Sequence, residues 1–247
     1  MIDDPALLAA VAGTFLLAGM VKGVIGLGLP TISLAILTAT LDLASAMALL
    51  LIPSFVTNLW QGLAGGRLWE IIRRLWPFLL PATVLTVVGG RALDHVDHGL
   101  LSLLLGVLVA AYALVGLIGW RLSITPAQDR WAGPLFGTVN GVLTGMTGSF
   151  VVPGVLYLNA LGLGRDMLVQ AMGVCFTLAT AALALTLQQS GLLTADLGLG
   201  SLIGLPPALV GMVLGQRLRR RLSEARFRQA FFWSLLALGA YIVATKI

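Results

Sequence analysis

Apolar residues occupy this chain in long blocks separated by short polar joins. The blocks run over 6–21, 24–41, 44–63, 75–90 and 100–120, then over 134–147, 150–163, 167–188, 197–216 and 227–245. A helix needs about 20 residues to cross a bilayer, so the first two blocks of each half are short or marginal. They are expected to form either two short crossings or one re-entrant hairpin, and both return the chain to the side it left.

Each short pair flanks a glycine-rich break. Gly19-Met-Val-Lys-Gly-Val-Ile-Gly-Leu-Gly-Leu-Pro30 places four glycines, a proline and a lysine inside apolar sequence. Glycine weakens a helix and permits close backbone approach, and Pro30 removes a hydrogen-bond donor. Irregular backbone at membrane depth is tolerated only where protein or a water-filled cavity covers it. The stretch is therefore a candidate lining of a site.

A shift of 118 positions lays Gly19 on Gly137, Lys22 on Asn140 and Gly23 on Gly141, and the second run continues to Pro153. Further on, 81–93 lies over 206–218 at an offset of 125. Two matches in the same order predict a duplication, with a first membrane repeat over 1–121 and a second over 122–247, together forming one transport domain. Five segments per half is an odd number, so the second half enters the membrane from the opposite side. The expected fold is an all-α polytopic membrane protein made of two inverted repeats of about five segments each. The first two segments of each repeat are short or re-entrant around a Gly-rich break.

Composition agrees with this pattern. Hydrophobic residues make up 58% of the chain and charged residues 10%, far below the quarter usual for a soluble domain. The net charge of +5 does not form one basic face, so no nucleic-acid partner is expected. Counting each glycine motif as two passes places 13 of the 15 Lys and Arg on one side: Lys22, Arg67, Arg73, Arg74, Arg121, Arg130, Arg165, Arg217, Arg219, Arg220, Arg221, Arg226 and Arg228. The positive-inside rule makes that side cytoplasmic and puts both termini outside. Asp3, Asp4, Asp42 and Asp196 then lie outside, and Trp60, Trp69, Trp76, Trp120, Trp131 and Trp233 fall near the cytoplasmic interface. The N-terminus lacks a cationic stretch, so the first apolar block is expected to remain as a membrane segment.

The candidate chemistry is that of an anion site. Lys22 is an ionisable residue inside apolar sequence, which marks a functional site unless its side chain snorkels to the surface. Gly23, Gly26 and Gly28 expose backbone N–H groups beside it. Asn140, Gly141, Thr144, Thr147, Gly148 and Ser149 add neutral donors in the second motif, and such groups can replace the water shell of an oxyanion. Thr57, Asn58, Gln170 and Thr177 follow on the next segments, with Thr57 over Thr177 when Met47 is laid on Met167. Packing and inter-helix hydrogen bonding are the ordinary roles of such residues. Asp94-His-Val-Asp-His98 reads as a solvated loop, Cys175 as a packing residue, and the run 217–228 as an anchor on anionic lipid. There is no catalytic triad, zinc motif or Walker loop, so neither enzymatic activity, a metal nor a cofactor is expected. No acid lies mid-span, which argues against a carboxylate proton relay and leaves the energy source open.

The paired glycine motifs and the matching segments near Gly90 and Gly215 resemble the sulfite exporter TauE/SafE family, also called the toluene-sulfonate uptake permease group. The resemblance implies a bacterial inner-membrane permease, an exporter of sulfite, organosulfonates or related small sulfur-containing anions, working in the lipid bilayer with homo-oligomerisation left open. A channel-like anion pathway and a non-transporting scaffold or assembly subunit are the alternatives.

Overall fold

The apolar blocks form helices whose ends are set by local chemistry. The computed structural model describes residues 4–120, 122–219 and 223–246. Asp3, Arg121, Arg220 and Arg221 lie outside the described residues. Helix α1 (Pro5–Ile25) starts where the Asp4 carboxylate accepts the N–H groups of Ala6 and Leu7, and it stops at Gly26, which is left-handed. Gly28 is left-handed too, and α2 (Leu29–Thr40) begins immediately after it. Positive φ at both positions is affordable only for glycine, so the turn between α1 and α2 depends on these two residues.

Asp42 and Asp97 cap α3 (Leu43–Leu63) and α6 (His98–Ile118), and Thr125 forms a capping box with Gln128 at the start of α7 (Pro126–Thr147). The remaining helices are α4 (Leu68–Gly90), α5 (Ala92–His95), α8 (Gly154–Ala160), α9 (Arg165–Gln189), α10 (Ala195–Arg219) and α11 (Glu224–Lys246).

Among the described residues, seven helices are long and apolar enough to cross a membrane. The ten expected segments are thus unequal. At 1.5 Å per residue, the 12 residues of α2 reach about 18 Å and the 7 of α8 about 10 Å, short of a 30 Å hydrocarbon core. Helix α7 is long enough at 22 residues but carries Gln128, Asp129 and Arg130 in its first turns. It starts eight residues before the expected block, and α4 starts seven residues early, because amphipathic first turns extend helices beyond their apolar stretches. The stretch read as a solvated loop at 94–98 is partly helical. Asp94 and His95 close α5, Asp97 caps α6, and His98 Nε2 lies 3.0 Å from the Leu93 carbonyl.

Packing is ordered around α3 and α9. Of their spans, 67% and 61% respectively are buried, against 28% for α10 and α11, so the first pair is central and the second faces outward. Helix α1 packs on α10, α7 on α4, and α6 on α11; α10 also meets α3, and α4 meets α9. Several of these contacts are made backbone to backbone. A β-carbon at Gly19 or Gly23 would overlap the carbonyls of Ala208 or Met212 in α10, and one at Gly211 or Gly215 would overlap those of Leu16 or Met20 in α1. Gly137, Gly141 and Gly145 of α7 meet Phe78, Ala82 and Thr86 of α4 in the same way. Close approach through small residues is how helices associate where lipid removes any hydrophobic drive between them.

Hydrogen bonds tie the loops of one end together. Ile124 N–H donates to the Ala160 carbonyl, Arg74 to the Leu161 carbonyl, and Arg67 N–H to Gln170 Oε1. Arg67, Arg73, Arg74 and Arg165 therefore gather at one end of the bundle. The six tryptophans are exposed.

Gly19→Ala is expected to force α1 and α10 apart and destabilise the protein by about 1–3 kcal/mol, the usual range for overpacking. Gly13→Ala, on the same helix with nothing within 4 Å of the new methyl, should be neutral or stabilise by up to about 1 kcal/mol. Thermal melting of the detergent-purified variants separates the two.

Candidate functional site

Lys22 does not snorkel. It sits in the last turn of α1, only 3% exposed, and reaches across to α3. Its ammonium donates to Thr57 Oγ1 at 3.2 Å and, by a shorter contact, to Asn58 Oδ1. The Thr57 hydroxyl proton is committed to the Pro53 carbonyl at 2.7 Å, so the oxygen offers Lys22 a lone pair. Among the described residues no carboxylate pairs with this ammonium, and both of its acceptors are neutral.

The lysine also fixes the orientation of Asn58. A flipped amide would set NH2 against NH3+, so Oδ1 must face Nζ and Nδ2 must face away. That Nδ2 is buried and has no hydrogen-bond partner among the described residues, and neither has Ser54 Oγ one turn along α3. Buried polar atoms are nearly always satisfied, so an orphan donor beside an unpaired ammonium needs a reason. A buried ammonium that borders a cavity and has only neutral acceptors among the described residues is a place that an anion can occupy.

Lys22 lines a cavity of about 550 Å³, within the usual range for small-molecule sites. Its walls are the C-terminal ends of α1, α3 and α10 and the N-terminal end of α9. Arg165 and Arg219 join Lys22 there against the single carboxylate of Asp166, so the lining carries an excess of positive charge.

Of the residues expected to bind substrate, Lys22, Gly23, Gly26, Thr57 and Gln170 line this cavity, and Asn58 stands behind Lys22. Gly23 also abuts the Met212 carbonyl. Gln170 clamps α9 to the end of α3, with Nε2 donating to the Gly62 carbonyl at 2.8 Å and Oε1 accepting Arg67 N–H at 3.1 Å. The second motif is not brought to this cavity. Asn140 lines a separate space, and Gly141 packs on Ala82. Thr144 donates to the Ser149 carbonyl, Thr147 to the Leu143 carbonyl, and Ser149 N–H to Thr147, all within the end of α7 and the turn after it. Gly148 is the left-handed cap of α7. Gly28 is wedged against Val21 and Phe231, and Thr177 bonds its own helix at the Gly173 carbonyl.

Sequence reasoning missed Trp60, Gln61, Gln216, Arg165, Asp166 and Arg219 as lining residues. For Gln61 a signal existed, because it stands three and four residues after Asn58 and Thr57, on one helical face. For the two arginines, assignment to loops and to a lipid anchor hid it.

Asn58→Leu should leave the Lys22 ammonium without its nearest acceptor and destabilise the protein by about 1–3 kcal/mol. Lys22→Met in the same chain should recover much of that loss, because the two residues act as a pair. A double-mutant cycle on thermal unfolding gives the coupling, and strict additivity would show that the contact carries no energy.

No curated protein and no solved structure matches the chain. The family model described as Sulfite exporter TauE/SafE matches residues 11–242, from within α1 to within α11. With seven membrane-length helices and a match over nearly its whole length, this multi-pass membrane protein belongs to the sulfite exporter TauE/SafE family of membrane permeases.

Proposed function

We propose that the protein exports sulfite, organosulfonates or related small sulfur-containing anions across the bacterial inner membrane, binding them at Lys22. The carrying observation is the buried Lys22 ammonium, which borders the large cavity and has only neutral acceptors among the described residues. A buried charge without a counter-charge is costly, and an incoming anion offsets that cost. The cation excess along the cavity draws anions toward it.

Alternating access between two inverted repeats is the mechanism this arrangement favours. If α1, α2, α3, α4 and α6 correspond to α7, α8, α9, α10 and α11, then α1 on α10 answers α7 on α4, and α10 on α3 answers α4 on α9. The pairs α3–α9 and α6–α11 map onto themselves, as contacts across a twofold axis do. Rocking one repeat against the other would close the Lys22 cavity and open its counterpart. The basic end of the bundle would face the cytoplasm, which places both termini outside. Glycine packing alone is compatible with a scaffold, but it leaves the Lys22 cluster without a purpose.

Lys22→Ala is expected to lower sulfite flux in proteoliposomes at least about thirtyfold, since removing one side of a buried charge-assisted contact costs about 2–5 kcal/mol. Its melting temperature should change little, because loss of the donor to Asn58 Oδ1 is offset by removal of a buried charge. Undiminished flux would take Lys22 out of the site, and flux that does not saturate with sulfite would favour a channel.

In wild-type protein, sulfite, sulfate, thiosulfate, sulfoacetate, taurine and carboxylates should separate by thermal stabilisation. A ligand at 100 times its Kd raises stability by about 2.7 kcal/mol. Stabilisation by sulfur oxyanions that disappears in Lys22→Ala supports the reading, and an equal response in both proteins counts against it.

A further inference from the structure

Lys22 lies on α1 and both of its acceptors lie on α3, and a single face of α10 holds these two helices. Helix α10 meets α1 through Gly204, Ala208, Gly211 and Gly215, which abut Phe15, Gly19, Leu16 and Met20. Three positions before Gly204, on the same face, stands Ser201, and it reaches α3 instead. Its buried Oγ accepts the backbone N–H of Ile52 at 3.0 Å.

That bond falls at an irregular point in α3. Pro53 follows immediately, and a proline inside a helix removes one N–H and crowds the carbonyl four residues back, here that of Leu49. A serine inside a helix can donate to a carbonyl three or four residues back, as Ser33, Ser102 and Ser234 do in this chain. Ser54 does not, although it is fully buried, and its hydroxyl makes no hydrogen bond among the described residues. A missing donor, an unused hydroxyl and a backbone N–H given to another helix therefore coincide over 52–54.

This joint runs directly into the site. The Pro53 carbonyl accepts the Thr57 hydroxyl at 2.7 Å, Thr57 Oγ1 accepts the Lys22 ammonium at 3.2 Å, and Asn58 Oδ1 stands next along the helix. An ammonium placed by two acceptors follows them when they move. Ser201 does not line the cavity, so what it does for Lys22 passes through α3.

We propose that Ser201 is a positioning residue for the Lys22 site: by holding Ile52 it fixes the joint at Pro53, and the joint sets Thr57 and Asn58, which place the ammonium at the cavity. Because the same face of α10 packs on α1, the lysine and its acceptors are held in register by one helix. This rests on the transport reading above and adds to it a residue outside the cavity that sets the affinity for the anion.

Sulfite flux in proteoliposomes, measured on the full-length protein over a range of sulfite concentrations, tests the assignment. Ser201→Ala should raise the half-saturating concentration about fivefold, the equivalent of one hydrogen bond, and leave the maximal flux within about twofold. Ser201→Thr keeps the oxygen and should restore the wild-type value. In a Pro53→Ala background α3 regains a regular ladder, so adding Ser201→Ala there should change the half-saturating concentration by less than about twofold.

An unchanged half-saturating concentration in Ser201→Ala overturns the proposal even if the melting temperature falls, because a residue that only packs moves stability alone. A shift of equal size with and without Pro53 overturns it too, since Ser201 then acts by another route. If Pro53→Ala does not assemble, Ser201→Thr decides, and a Ser201→Thr protein that melts like wild type yet keeps the raised value overturns the proposal. Wild-type flux that does not depend on Lys22 overturns the transport reading, and the positioning role with it. Lys22-dependent flux that Ser201→Ala leaves untouched keeps the transport reading and removes the positioning role alone.

Discussion

Backbone contact between helices governs the rest of this structure. At the α1–α10 and α7–α4 crossings, glycines on one helix sit against carbonyls of the other, with no side chain between them. Lipid tails are as apolar as leucine, so a helix pair in a bilayer gains little by burying apolar surface, and close van der Waals approach takes over. These crossings also fix how each helix is rotated. Gly19 and Gly23 turn one face of α1 toward α10, and Lys22, about 100° round the helix from Gly23, is thereby aimed at α3.

The central pair α3 and α9 adds polar clamps to such a backbone contact. Gly62 and Gly173 bring the two helices close, and amide side chains clamp them: Gln61 donates to the Val169 carbonyl at 2.7 Å, and Gln170 donates to the Gly62 carbonyl. In the repeat alignment at an offset of 120, the partners of Gln61 and Gln170 are Ala181 and Leu50. Among the described residues, these polar clamps stand at the end of the crossing beside the Lys22 cavity. The two glycine motifs are chemically one-sided in the same way, with Lys22 in the first and Asn140 in the second.

That one-sidedness extends to the cavities. The Lys22 half combines an ammonium, an oriented amide and an open cavity rimmed by Arg165, Asp166 and Arg219. The Asn140 half combines a neutral amide with phenyl walls and almost no space. Ammonium and amide both donate hydrogen bonds, but only the first brings charge, so only the Lys22 half presents a buried positive charge.

The membrane character, the glycine motifs and the candidacy of Lys22 were all legible along the chain, because each is a matter of local composition or of spacing. Gly26 and Gly28 announced a turn for the same reason, since only glycine readily takes the backbone conformation found there. The division of labour among the motif residues was not legible. Gly141 and Gly23 look alike in sequence, yet only Gly23 borders the large cavity, and Thr144 and Thr147 turn out to be committed to nearby carbonyls. Whether a lysine near a helix end snorkels or is buried depends on which helices stand beside it, and these are α3 and α10, far away in sequence. Arg165 and Arg219 became cavity residues for the same reason. Hydrophobic periodicity and spacing are read along one segment, whereas a cavity is the space left between segments, and it exists only once the crossings of separate helices have been set.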